Sequence, residues 1–174
     1  GGRYYWKARS WDQTGKASAY SEPTWFSMGL LDSADWGGNW IGGDPGVSNG
    51  TRKIENGDNL VRKEITINKS VERAQVFISG LGYYELRING AKVGDHVLDP
   101  GWTEFHHRAL YVTYDVTELL QTGTNAIGVM LGNGFYSFYA YFYAPRVILQ
   151  MNIDFTDGTS ISVVSDGSWK TTTG

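Results

Sequence analysis

Cysteine is absent from the chain, which excludes disulfides, thiolate metal sites and a cysteine nucleophile together. Histidine is nearly as scarce. The three present are His96, His106 and His107. The last two are neighbours at the start of a predicted strand, where adjacent side chains point to opposite faces, so a shared zinc ion is not expected. No Gly-x-Ser-x-Gly elbow occurs, and without dispersed histidines a serine triad has no base. No apolar run reaches the length that spans a bilayer, and the opening residues Gly1-Gly2-Arg3-Tyr4 read as a strand rather than a leader peptide. Charge is thin: 15 Lys and Arg against 18 Asp and Glu give a net charge of −3. With no basic stripe, nucleic acid is not an expected partner.

What the chain has in quantity is apolar and aromatic surface. Hydrophobic residues make up 41% and charged ones 19%, a balance that supports a packed core and does not fit a disordered segment. The 174 residues suit one domain with part of another. Seven Trp, eleven Tyr and seven Phe exceed what one core of this size needs. In a β-protein that excess raises the expectation of carbohydrate binding, because ring faces stack on sugars.

The stretch from Gly80 to Thr103 organises the rest. Tyr84, Leu86 and Ile88 alternate with Glu85 and Arg87, the period of a strand with one buried face. Asn89-Gly90 supplies the favoured hairpin turn, Ala91 to Leu98 is the predicted return strand, and Asp99-Pro100-Gly101 turns the chain beside Trp102. Upstream, residues 3–11 and 17–28 read as a hairpin around Asp12–Gly15, with Pro23 marking an edge. Residues 30–58 carry many breakers and read as a surface connection pinned by Trp36 and Trp40. Downstream, strands are predicted at Leu60–Ile67, Arg73–Ser79, His107–Tyr114, Ala126–Leu131, Arg146–Phe155 and Thr159–Ser165. A helical turn capped by Asp115 and a hairpin through Asp157-Gly158 join some of these. Trp169 closes the pattern. The fold class is all-β, an antiparallel, jelly-roll-like sandwich over 30–174, preceded by a hairpin over 1–29 that cannot be a domain by itself.

Candidate sites lie at two corners. Trp102 presents a ring beside the proline–glycine turn. The motif Gly132-Asn133-Gly134-Phe135-Tyr136 follows a central strand and leads into Tyr139, Tyr141, Phe142 and Tyr143, an aromatic loop that ends at Pro145. Sugar-binding candidates are therefore Trp102, Asn133, Phe135, Tyr136, Tyr84 and Asp95. Asp95, Asp99 and Glu104 cluster near Trp102, but acidic residues at turns more often solvate a loop than form a hydrolytic pair. Calcium, which accepts scattered oxygen donors, is left open with Asp95, Asp99, Asn89 and Asn133 as candidate ligands, although no EF-hand spacing occurs.

These motifs carry a resemblance. Gly80-Leu81-Gly82-Tyr83-Tyr84-Glu85-Leu86, Ile88-Asn89-Gly90, Asp99-Pro100-Gly101-Trp102-Thr103, Gly132-Asn133-Gly134-Phe135-Tyr136 and Asp166-Gly167-Ser168-Trp169 together resemble the N-terminal β-sandwich domain of bacterial α-L-rhamnosidases. Residues 3–28 are similar to the closing hairpin of a fibronectin type III module. The resemblance implies a multidomain inverting hydrolase of terminal L-rhamnose whose acid and base sit in a separate helical (α/α)6 barrel. On that basis this segment is expected to hold no catalytic residue. Its expected partners are L-rhamnose-containing glycans and the catalytic domain of the same chain, and the periplasm or the cell exterior is the favoured compartment. In some relatives the sandwich binds rhamnose with calcium, and in others it is structural. Phe135 stands where the family usually has Trp.

Overall fold

The computed structural model describes residues 2–42, 47–48, 51–52, 59–139 and 144–173. The chain divides into two compact units, Gly1–Trp36 and Gly37–Gly174.

In the first unit, strand β1 (Arg3–Trp6) pairs antiparallel with β2 (Thr24–Ser27), setting Tyr4 opposite Phe26 and Tyr5 opposite Trp25. The strands are shorter than the alternation predicts. Beyond Trp6 the backbone N–H groups of Ala8 and Ser10 donate to the Ser21 and Ser18 hydroxyls at 3.0 and 3.1 Å. The return bonds stay on the backbone, from the Ser21 and Ser18 N–H groups to the Ala8 and Ser10 carbonyls at 2.8 and 2.9 Å, so serine hydroxyls replace one half of the ladder before the Trp11–Ala17 bridge. Asp12 closes the turn by accepting from the N–H groups of Thr14 and Lys16. A 3-10 turn at Ser33–Asp35 follows, held by a reciprocal capping box between Asp32 and Asp35.

The second unit opens with a short hairpin, β3 (Val47–Ser48) and β4 (Thr51–Arg52). Then come β5 (Asn59–Ile67), β6 (Val71–Leu81), β7 (Tyr83–Ile88), β8 (Ala91–Lys92), β9 (Val112–Asp115) and β10 (Gly123–Gly132). Helix α1 (Gly134–Tyr139), β11 (Arg146–Phe155), β12 (Ser160–Val164) and β13 (Lys170–Thr173) complete it. Two antiparallel sheets result, ordered β13-β5-β10-β7-β8 and β12-β11-β6-β9. The expected all-β sandwich is present, and the apolar run Ala126–Leu131 lies in the middle strand of the larger sheet.

Alternation explains the core. Val61, Leu86, Ile88, Ile127, Val129 and Leu131 from one sheet meet Val76, Ile78, Val147, Leu149, Met151 and Ile153 from the other, all nearly inaccessible. Each such side chain contributes about 1.5–3 kcal/mol of transfer free energy. Strand β6 is buried on both faces from Ala74 to Gly80. Phe77, on its outer side, is covered by Tyr111 at 6.2 Å in an edge-on contact, and Ser79 Oγ donates to the Leu110 carbonyl. Nearby, the Gly37 N–H donates to Gln150 Oε1 and the Asn39 N–H to the Ser165 carbonyl. Main-chain bonds, including the Ile41–Val147 bridge, hold this incoming segment. Trp40 does not pin it by burial, being 38% exposed.

Other expectations change in detail. The return strand after Asn89-Gly90 is only two residues long, because Gly94 turns out of line at φ 70°. The His107–Tyr114 strand begins only at Val112, since the preceding loop is drawn over Phe77. Asp115 accepts from Thr117 N–H and Oγ1, but the residue that opens the 3-10 turn Thr117–Leu119 is Val116. Gly134–Tyr139, expected as loop, forms helix α1. Tyr141, Phe142 and Tyr143 lie outside the described residues. Beyond Trp169, β13 adds an edge to the larger sheet against β5.

Candidate functional site at the open edge of the sandwich

Strand β8 pairs only with Arg87 and Ile88, so the Tyr83–Leu86 part of β7, paired with β10 on one side, has no full strand on the other. A loop from Val93 to Pro100 fills the side instead, reaching from the β8 edge of one sheet to the β9 edge of the other. It touches down where the Tyr84 N–H donates to the Asp99 carbonyl at 2.8 Å. Glycine is required at position 94: its φ is 70°, and a Cβ there would lie 2.6 Å from the Tyr114 ring. Leu98, at φ 61°, holds a left-handed conformation that branched side chains avoid, and it stays exposed beside Val97.

The loop and the open edge enclose a recess of about 360 Å³, lined among others by Tyr84, Lys92, His96, Asp99, Tyr114 and Met130. Its polar groups form a relay. The Tyr114 hydroxyl donates to Asp99 Oδ2, and His96 Nδ1 sits 3.0 Å from the same oxygen. The His96 ring is tilted over Tyr114 at 5.8 Å between centroids. Tyr84 reaches in from the core side; its hydroxyl is fully buried and has no partner at ordinary hydrogen-bond geometry, the nearest group being the Tyr114 hydroxyl. Burial, followed by the neighbouring Tyr114 and Asp99, pushes the Tyr84 phenol far above its ordinary range. Burial and then the bond to Asp99 push Tyr114 up to about 12. Both phenols are therefore neutral donors at physiological pH. On the outer wall Glu85 pairs with Arg87 at 2.8 Å and faces Lys92 at 4.0 Å. The recess thus offers donors, acceptors and an apolar patch of Met130, Val97 and Leu98 within one small volume.

Of the residues singled out in the sequence, Tyr84 lines this recess, and Asp95 bears electrostatically on Tyr114 within it. Asn133 follows Gly132, which lines the recess, but does not itself line it; its carbonyl and that of Gly132 crowd Gly82, where a Cβ at φ 105° would lie 3.1 and 2.4 Å from them. Phe135 is exposed at the start of α1, and Tyr136 packs edge-on against Phe105 at 5.3 Å. Trp102 is 60% exposed and does not line the recess; its loop covers the outer face of the smaller sheet. Sequence reasoning missed Tyr114, His96 and Lys92 as partners of Tyr84. No local pattern signals them, since Tyr114 stands thirty positions away.

The candidate calcium donors do not fit one ion. Asn89 is used up in the turn: its Nδ2 donates to the Leu119 carbonyl and to Asn125 Oδ1, and its Oδ1 accepts from the Ala126 N–H. It also lies at the opposite end of β7 from Asn133, about 20 Å away at 3.3 Å per residue. Asp99 is engaged by His96 and Tyr114. Among the described residues no three His, Asp or Glu side chains stand close enough to hold a metal.

Residues 69–174 match the family described as the α-L-rhamnosidase N-terminal domain. Residues 1–32 match a Rha78A-like N-terminal immunoglobulin domain, where the sequence resembled a fibronectin type III hairpin. An α-L-rhamnosidase of Formosa agariphila is 41% identical over 99% of this chain and 21% of its own length. The solved α-L-rhamnosidase from Dictyoglumus thermophilum superposes with a TM-score of 0.86 at 39% identity, over 99% of this chain and 20% of that one. A lectin from Pleurotus ostreatus, solved in complex with GalNAc, superposes with a TM-score of 0.55 at 28% identity over 79% of this chain and 35% of its own. The chain spans about a fifth of the rhamnosidases it matches. It belongs to the α-L-rhamnosidase N-terminal domain family.

Proposed function

We propose that the chain is a non-catalytic accessory module of an α-L-rhamnosidase, and that its open-edge recess binds a sugar ring, L-rhamnose first among candidates. The observation that carries this reading is the recess itself, where the Tyr114 hydroxyl, Asp99 and His96 converge beside Tyr84 within about 360 Å³. A pyranose suits the walls: its hydroxyls would donate to Asp99 and Glu85 and accept from Lys92, while its C–H face covers Met130. The sugar-binding lectin of similar fold supports the reading. In the parent enzyme the module would hold rhamnose-bearing glycan near a catalytic domain elsewhere in the polypeptide.

Titration calorimetry of the 174-residue chain with L-rhamnose tests it. Heat that vanishes in Asp99→Asn and Tyr84→Phe, and survives Trp102→Ala, is the expected outcome. A parallel titration in EDTA separates direct contact from recognition through an ion. Absence of heat for L-rhamnose and for other deoxyhexoses would reject sugar binding. It would leave the second reading, a structural module docked on the catalytic barrel, which the exposure of Trp102, Leu110 and Phe135 favours.

A further inference from the structure

The outer face of the larger sheet carries a row of four cations. Register sets Lys170 of β13 opposite Arg62 of β5, Arg62 opposite Gly128 of β10, Gly128 opposite Arg87 of β7, and Arg87 opposite Lys92 of β8. Residues paired in this way share a face. Val61, Leu86, Ile127 and Val129, each one position away, point into the core, so the row points out. The Arg62 and Arg87 side chains are 56% and 45% exposed. The row crosses five strands, about 19 Å at about 4.8 Å per strand spacing. Among the described residues of these strands, the acids on the same face are Glu64, 3.2 Å from Arg62, and Glu85, 2.8 Å from Arg87 and 4.0 Å from Lys92. Two carboxylates thus answer four cations.

The rules of sheet pairing disfavour this arrangement. Like charges directly opposite one another oppose pairing, and the row holds two such pairs, Lys170–Arg62 and Arg87–Lys92. Lysine on the edge strands β13 and β8 guards against edge-to-edge association, which accounts for each lysine but not for the arginine beside it. Gly128 is equally out of place, since glycine inside a strand weakens it and marks a close approach. Its φ lies outside the left-handed region, and a Cβ there would meet nothing within 4 Å. Neither backbone strain nor packing within the chain therefore requires glycine at that position. It leaves a flat floor between the two cation pairs, continued two positions along by the exposed Met130. Local rules broken together at one place point to a binding surface.

We propose that this row binds an acidic polysaccharide laid across the strands. A sugar ring lies over Gly128, and carboxylate or sulfate groups are held by Lys170–Arg62 on one side and Arg87–Lys92 on the other. Arginine supplies the bidentate fork that such anions take, and Gly128 with Met130 supplies the apolar floor. The ligand's charge rests on the row, and its saccharide nature rests on the reading of the chain as a rhamnosidase module. The surface meets the recess at Lys92 and Met130, whereas Arg62, Arg87, Gly128 and Lys170 do not line it.

Calorimetric titration of the full-length parent protein with polygalacturonate, dextran sulfate and neutral dextran tests the proposal. The acidic polymers should bind, more weakly as salt is raised, and dextran should not. Arg62→Gln and Arg87→Gln should each weaken binding about two- to fivefold, the scale of exposed ion pairs. Gly128→Val should abolish it at an unchanged or higher Tm, because the added side chain enters open space and suits a strand. Lys170→Glu should raise Tm while weakening binding, since it turns a repulsion into an attraction. Failure of both acidic polymers to bind, or binding that Gly128→Val leaves unchanged, overturns the proposal. Equal binding of dextran overturns the assignment of charge. Poly-L-glutamate or duplex DNA binding as tightly as polygalacturonate overturns the saccharide assignment. Heat from L-rhamnose at the recess should survive Gly128→Val, so a failure of either site is told from a failure of the other.

Discussion

Replacing Tyr84 by Phe should make this protein more stable and worse at binding. The ring of Tyr84 is part of the core at 7% exposure, packed on the same side of β7 as Leu86 and Ile88. Its hydroxyl is buried, with the Tyr114 hydroxyl beside it but no hydrogen bond of ordinary geometry. Folding therefore strips water from the hydroxyl and returns at most a weak contact with Tyr114, at a net cost of about 1–3 kcal/mol. Phenylalanine keeps the ring, its rotamer and its packing, and it removes the group that bears that cost. A midpoint shift corresponding to about 1–3 kcal/mol follows, which for a unit of this size is a rise of about 3–10 °C in Tm.

The assay is urea unfolding followed by circular dichroism, with the m-value monitored so that a change in compactness is not read as stability. Calorimetry with L-rhamnose is run on the same samples. Stabilisation with weakened binding is the expected pair of results, the pattern of a site that holds an unsatisfied group ready for its ligand. Destabilisation by more than about 1 kcal/mol would refute the reasoning, because it would mean that Tyr114 or Asp99 already satisfies the hydroxyl in solution. Stabilisation with binding unchanged would refute the functional half alone.

Three further outcomes follow from the geometry. Gly82→Ala, at φ 105° with a Cβ 2.4 Å from the Gly132 carbonyl, should cost more than about 3 kcal/mol, whereas Gly90→Ala, at φ 84° in open space, should cost about 1–2 kcal/mol; chemical denaturation of the pair separates strain from collision. Asn125→Ala should cost about 2–4 kcal/mol, since that fully buried amide answers the Gln121 N–H, the Gln121 and Gly123 carbonyls and the Asn89 side chain, and its loss strands them; a shift of under 0.5 kcal/mol in urea would contradict this. Because Tyr114 is raised to about 12 from an ordinary phenol value of 10, its neutral form favours the folded state. That contribution is complete below pH 10 and is lost between pH 10 and 12, so Tm should fall more steeply over that interval in the parent chain than in Tyr114→Phe.

Where the sequence was legible, the reason is local. Asn89-Gly90 takes the two positive φ values, 51° and 84°, that its side chains permit, and Asp157-Gly158 closes its hairpin with Gly158 at 80°. The run Ala126–Leu131 announces a central strand because both its sides meet other strands. Legibility fails where a distant partner decides the outcome. Thr171 and Thr172 have ordinary strand chemistry but become a strand only because β5 offers an edge. Ala91–Leu98 reads as a return strand, and only the ring of Tyr114 against Gly94 shows why it leaves the ladder. The recess is the extreme case: it is assembled by Tyr84, Asp99 and Tyr114 from a strand, a loop and the opposite sheet. Trp102 drew attention through its turn, yet the buried hydroxyl was hidden in an ordinary alternating strand.

The shortness of β8 ties fold and site together. A long outer strand there would present unpaired N–H and C=O groups to other chains, the usual hazard of sheet edges. Two residues of pairing followed by a glycine turn remove that hazard. The same device leaves Tyr83–Leu86 without a full neighbour, and the loop that returns to satisfy the Tyr84 N–H brings Asp99 and His96 with it. A concave polar site is thus the geometric consequence of ending an edge strand early, and it costs the core nothing, because Leu86 and Ile88 stay packed on the inner side of β7. Substitutions at the exposed loop positions Asp95, His96 and Val97 can then reshape the recess while the sandwich beneath keeps its register.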